Sequence, residues 1–151
     1  MFCIKRALAV LIVCMLVKPV CAFTFSYGNL FEVKKVVNKN GVLQLPLTRK
    51  KYKNVKILSR ELYSFLRACQ TDCSYAVSQE QFEIEEIRPA ATNTQMFIIE
   101  VSFNRAVLLT FLGFKNKNGM KIVFPQEVIW KDAGLKKRVQ KYLEDQVKQN
   151  V

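Results

Sequence analysis

Histidine is absent from the 151-residue chain. That absence removes Ser-His-Asp and Cys-His catalysis, imidazole general-base chemistry and the zinc sites that imidazole usually completes. Glycine is scarce, with five in the whole chain, and neither a phosphate-cradling loop nor a dinucleotide fingerprint occurs. Acidic residues are scarce too, 12 against 24 basic ones. No low-complexity tract or flexible linker interrupts residues 23–151, and no second long apolar run follows the N-terminal one. Histidine-dependent mechanisms are thereby excluded, whereas carboxylate-dependent ones stay open.

What is present begins with an export signature. Lys5 and Arg6 precede an unbroken apolar run over residues 7–17, which Lys18 and Pro19 end. Val20-Cys21-Ala22 then sets small or medium residues three and one before a cut, so residues 1–22 are expected to be a cleavable signal peptide. A spanning helix needs roughly 17–25 apolar residues, more than this run supplies. Lys18 and Val20 also make poor neighbours for lipid attachment at Cys21. The expected product is a single domain over 23–151, periplasmic or secreted, with no transmembrane span after cleavage. A chain of this length buries roughly two thirds of its unfolded surface, enough for a core without metal.

Removing Lys5, Arg6 and Lys18 leaves 21 basic and 12 acidic residues, a net charge of +9. Three cysteines (Cys3, Cys14, Cys21) leave with the signal, and Cys69 and Cys73 remain. An isolated close pair in an oxidising compartment is most simply a local disulfide. Closing so short a loop contributes about 2 kcal/mol at best. A redox motif normally has two intervening residues, and here there are three.

Along the chain, Phe23-Thr24-Phe25-Ser26-Tyr27 alternates with period two, as a strand does. Residues 30–37 and 42–48 are apolar-rich runs joined by Asn38-Lys39-Asn40-Gly41, a hairpin signal because Asn-Gly takes positive φ readily. Leu43, Leu45 and Leu47 would share one face, with Pro46 at an edge or fraying end. Residues 49–56 read as a basic connector. Ser59 can cap a helix running to about Cys69, with Leu62, Phe65, Leu66 and Cys69 on one stripe. Strands are expected at 81–88, with Ile87 out of phase and so a bulge, then at 96–103, 107–114 and 120–124, with residues 89–95 as a loop. A second Asn-Lys-Asn-Gly at 116–119 is explained more cheaply by hairpin chemistry than by duplication. After a short strand at 128–130, Asp132 caps a C-terminal helix whose apolar stripe is Leu135, Val139, Tyr142, Leu143 and Val147. The fold class is α+β: an antiparallel sheet of about five to seven strands with one helix mid-chain and one at the C-terminus.

Two constellations carry possible chemistry. Glu83, Glu85, Glu86 and Glu100 concentrate the carboxylates, and Glu83, Glu85 and Glu100 are the residues a carboxylate-dependent hydrolase would use. Alternation this regular fits a solvated strand face better. Glu32-Val33-Lys34 has a nuclease-like Glu-x-Lys form but lacks a preceding aspartate. Basic residues form two clusters, Arg49, Lys50, Lys51 and Lys53 around Tyr52, and Lys136, Lys137 and Arg138 with Lys141. A field of that sign attracts an anionic partner such as an acidic protein surface, a polysaccharide or lipid headgroups. Nucleic acid fits less well with export. The sequence thus favours a small, exported, non-enzymatic binding protein, an accessory of a secretion apparatus or a secreted effector, with no catalytic residue, metal or cofactor expected. The alternative is the carboxylate hydrolase.

Overall fold

Runs of alternating apolar residues become strands because one face of each can be buried while the other stays wet. In the computed structural model, which describes residues 20–48, 52–90 and 93–150, these strands form two five-stranded sheets. The first contains β1 (Ala22–Tyr27), β2 (Phe31–Lys39), β3 (Val42–Gln44), β7 (Cys73–Tyr75) and β12 (Val128–Trp130). The second contains β6 (Val55–Ile57), β8 (Phe82–Ala90), β9 (Asn93–Phe103), β10 (Val107–Asn116) and β11 (Gly119–Val123). A two-stranded ribbon, β4 (Leu47–Thr48) with β5 (Tyr52–Lys53), stands apart. The helices are α1 (Arg60–Ala68) and α2 (Ala133–Asn150).

The two sheets share a plan. A central strand has a long neighbour on one side and two short ones end to end on the other: β2 lies between β1 and the pair β12 and β3, and β10 between β9 and the pair β6 and β11. All these pairings are antiparallel; β7 is the exception, running parallel to β1 through Phe25↔Cys73 and Tyr27↔Tyr75. The inner faces meet in one core, in which Phe25, Phe31, Phe103 and Phe111 are fully buried beside Leu62 and Leu66 of α1. The Phe31, Phe103, Phe111 and Phe124 rings surround Trp130, with centroids 5.6–6.4 Å from its own. Phe23, Phe25, Tyr27 and Phe31, the aromatics near the expected new N-terminus, are all core residues.

Local chemistry sets the ends of the helices. The Ser59 hydroxyl accepts the Leu62 N–H at 3.3 Å, and Glu61 sits in the first turn of α1. Asp132 accepts the Leu135 N–H at 3.0 Å and begins α2. Leu135, Val139, Leu143 and Val147 are buried, while Tyr142 lies at the edge of the stripe with its ring 5.6 Å from that of Phe82. Asn40 and Gly41 both adopt positive φ (53° and 78°), the twist a two-residue hairpin needs.

The expected single sheet is therefore corrected to two. Period-two alternation shows which face is buried but not which strand covers it, and the short strands β6 and β7 carry too few residues to show it. The connector expected at 49–56 contains β6, which pairs Val55 with Leu109; residues 49–51 lie outside the described ones. The loop expected at 89–95 is instead strand on both sides, since β8 runs through Pro89 to Ala90. Proline is tolerated there because β8 ends its sheet and one edge has no ladder to break. The bulge expected near Ile87 is a register shift between Ile84 and Glu86.

Candidate functional site

The carboxylates of β8 and β9 each meet a different partner. Arg105 Nε donates to Glu83 at 3.1 Å, the Ser102 hydroxyl to Glu85 at 2.5 Å, Arg88 Nε to Glu86 at 3.2 Å, and Lys56 Nζ to Glu100 at 2.7 Å. The bulge sets Glu86 directly opposite Glu100, and each has its own cation to offset the like-charge contact. Of Glu83, Glu85 and Glu100, only Glu83 lines the adjacent cavity of about 440 Å³, together with Glu80, Gln81, Phe82, Ser102, Asn104 and Arg105. No group of three or more His, Cys, Asp or Glu that could hold a metal ion occurs among the described residues. The bulge, Pro89 and the charged side chains on β8 are also the features that blunt an exposed sheet edge against pairing with another chain.

That cavity adjoins a second of about 400 Å³, which shares Gln81, Asn104 and Arg105 and extends along residues 75–79. Asn104 builds the wall between them. Its side chain accepts the Gln81 N–H at 2.9 Å and donates to Gln79 O at 2.8 Å and to the Tyr27 hydroxyl at 3.3 Å. Asn104 and Arg105 both have positive φ (51° and 55°), which costs a residue with a Cβ more than glycine. Burial pushes the Tyr27 hydroxyl above its ordinary range, against a smaller opposing effect of the Asn104 hydrogen bond.

The basic residues behave differently. Lys35, Lys56, Arg88, Arg105, Lys131 and Arg138 are in ion pairs. The other twelve basic residues in the described segments have no carboxylate within ion-pair distance there. Seven of the twelve fall on one structural unit: Lys115, Lys117 and Lys121 on the β10–β11 hairpin, and Lys136, Lys137, Lys141 and Lys148 on α2, which packs against β11. The hairpin from residue 113 to 124 contains no acidic residue.

Of the residues expected to bind an anionic partner, Arg49, Lys50 and Lys51 lie outside the described ones. Lys53 is exposed, and its carbonyl accepts the Thr110 hydroxyl at 2.8 Å. Lys137 is exposed on α2, Lys136 stands 5.2 Å above the Phe124 ring, and Arg138 is held by Glu80. Lys53 and Lys136 attach to neighbouring residues of β10, the first through Thr110 and the second through Phe124, whose ring packs 5.1 Å from that of Phe111. Sequence reasoning missed Lys115, Lys117, Lys121 and Lys148. They stand singly in the chain and gather only when the hairpin and the end of α2 meet, where Lys115, Met120, Val147 and Lys148 line a small cavity of about 160 Å³. No family model, curated protein or solved structure matches this chain.

Proposed function

We propose that this is a small exported protein that works by binding an anionic partner, with no chemistry of its own, and that α2 with the β10–β11 hairpin is its binding face. The observation that carries this reading is the gathering of seven exposed or half-exposed lysines without carboxylate partners on one unit. Unpaired cations on one surface sum their fields and steer an anionic partner before contact. The export half of the proposal is supported by the burial pattern: Val20, Cys21 and Ala22 are exposed, and Phe23 is the first core residue, so a cut after Ala22 removes one strand pair (Ala22↔Val37) and no core side chain.

The test is chemical crosslinking and capture of partners from the cells that make the protein and from their medium, at low and high salt. Wild type is compared with a variant carrying Lys117→Glu, Lys121→Glu, Lys137→Glu and Lys141→Glu, and with one carrying Lys50→Glu, Lys51→Glu and Lys53→Glu. A defined partner that is lost at high salt and in the first variant supports the reading. Loss only in the second variant moves the site to the ribbon. Undiminished capture by both variants overturns the basic-face assignment. N-terminal sequencing of the recovered protein tests export independently, with Phe23 as the expected first residue.

A further inference from the structure

Residues 69–73 arch from the end of α1 to the start of β7, and both feet of the arch are fixed. Cys69 is the C-cap of α1, with its N–H donating to Leu66 O at 3.1 Å and its thiol to Phe65 O at 3.5 Å. Cys73 opens β7 opposite Phe25. Asn38, from the neighbouring hairpin, donates to Arg67 O at 2.6 Å and to Cys69 O at 3.1 Å. The Asp72 carboxylate accepts the Thr24 N–H at 2.8 Å. In this structure Cys69 and Cys73 are free thiols, both half-buried against the core at the two feet of the five-residue arch.

We propose that this thiol pair is an oxidative modification site, at which Cys69 and Cys73 close an intramolecular disulfide that fastens β7 to the end of α1. β7 is an edge strand joined to its sheet by three residue pairs with β1, and the chain continues from it into residues 75–79, which wall the polar groove. Closing the arch therefore tightens one of the short edge strands of the first sheet and one side of the groove. The co-reactant is a disulfide of a small thiol or of a thiol oxidoreductase. One thiolate attacks it to give a mixed disulfide, and the second displaces the co-reactant's thiolate from that bond. Two protons leave Cys69 and Cys73, an S–S bond joins them, and two electrons pass to the co-reactant, which departs as thiol. Burial first, and then the hydrogen bond with Cys69, push the Cys73 thiol up to about 12, which leaves it the poorer first attacker. Among the described residues Cys21 is the competing thiol: it is exposed just before β1 and lines a cavity of about 650 Å³ with Gln70 and Thr71 of the arch.

The experiment treats the full purified chain, with Cys3 and Cys14 replaced by serine throughout, with glutathione disulfide and compares it with the reduced chain, with a C69S/C73S variant and with C21S. Cleavage before Asp72 separates the two cysteines, so an internal disulfide keeps the two fragments joined until a reductant is added. The expected result is that linkage, in the parent chain and C21S alike, with slower amide exchange at residues 73–79. The unfolding temperature rises by about 5 °C, the scale expected for closing a loop of this length. C69S/C73S should exchange like the reduced chain, which shows that the serines leave the fold intact. A retained glutathione adduct, a link through Cys21, or unchanged exchange at 73–79 in the joined product would overturn the proposal.

Discussion

The β8–β9 edge and the α2–hairpin unit carry opposite charges and treat them in opposite ways. On the first, Glu83, Glu85, Glu86 and Glu100 are all engaged by neighbours in the fold. On the second, seven lysines face outward, and among the described residues none has a carboxylate within ion-pair distance. Elsewhere five more acids are similarly occupied: Glu32 by Lys131, Glu80 by Arg138, Glu127 by Lys35, and Asp72 and Asp132 by backbone N–H groups. Nine of the twelve acids are thus engaged by the fold, and the surplus of cations gathers on a unit whose own acids, Glu144 and Asp145 on α2, are outnumbered by its seven lysines. A chemist seeking function among the carboxylates finds most of them already committed, and the uncommitted charge is mainly positive.

The largest expected effect breaks this contrast at the basic end. Reversing Lys117, Lys121, Lys137 and Lys141 to Glu should weaken retention of the protein on a polyanion surface by about tenfold or more at low salt. Unfolding temperature should stay within about 2 °C of wild type, because substitutions away from core and network change stability little. Salt-gradient elution and thermal unfolding of the same samples check both halves, and equal losses of binding and stability would mean that the lysines serve the fold.

At the acidic end the signs are exchanged. Glu85→Ala removes the acceptor of the Ser102 hydroxyl, which is fully buried, and should cost about 1–2 kcal/mol in denaturant unfolding while leaving polyanion retention unchanged. Glu100→Gln should cost less, about 0.5–1 kcal/mol, because Lys56 is half in water and keeps its solvation. If these variants instead leave stability untouched, the carboxylates are free for another role and the hydrolase alternative regains ground.

High pH sharpens the comparison through the groups behind the groove. The folded state holds Cys73 up at about 12 from an ordinary 9.0, and Tyr27 above its ordinary 10.0, mainly by burial in each case. Both groups keep their protons longer in the folded chain than in the unfolded one. The stability tied to them is therefore full below about pH 9 and falls as pH rises towards 12. Reduced protein should lose stability across that window in urea titrations. Oxidised protein should lose less, since a disulfide has no proton to give up, and Tyr27→Phe should remove part of what remains.

How much of this was legible in the sequence differs by element. The two helices, with Ser59 and Asp132 as caps, follow from stripes and caps that lie close together in the chain. The Asn40-Gly41 turn is equally local. Its apparent repeat at 116–119 is not the same device: there the turn is Lys117-Asn118, one residue earlier in the tetrapeptide, and only Gly119 takes positive φ (129°). A bulge on β2, where Lys35 has φ 59° and pairs with Glu127, shifts the buried set from Phe31 and Val33 to Val36, a phase break at Lys34-Lys35 that sequence reasoning passed over. Division into two sheets, the parallel strand β7 and the Arg138–Glu80 pair all depend on contacts between residues far apart in sequence, which alternation and spacing do not encode. The binding face was half legible for the same reason: Lys136, Lys137 and Lys141 of α2 cluster in the chain, whereas Lys148 and the hairpin lysines join them only in space.

The smallest expected effect is the most discriminating about that face. Lys137→Ala removes an exposed side chain with no ion pair, so denaturant unfolding should register less than about 0.5 kcal/mol. Arg138→Ala, one residue on, releases Glu80 from its partner and should cost more than Lys137→Ala, though modestly, since both groups are partly in water. For retention on a polyanion the order should invert: Arg138 already has its carboxylate, so its loss matters less than that of Lys137. Opposite rankings of two adjacent basic residues in the two measurements would separate cations spent on the fold from those left for a partner. Identical rankings would mean that the ion pairs do not make the distinction and that the face attracts by net charge alone.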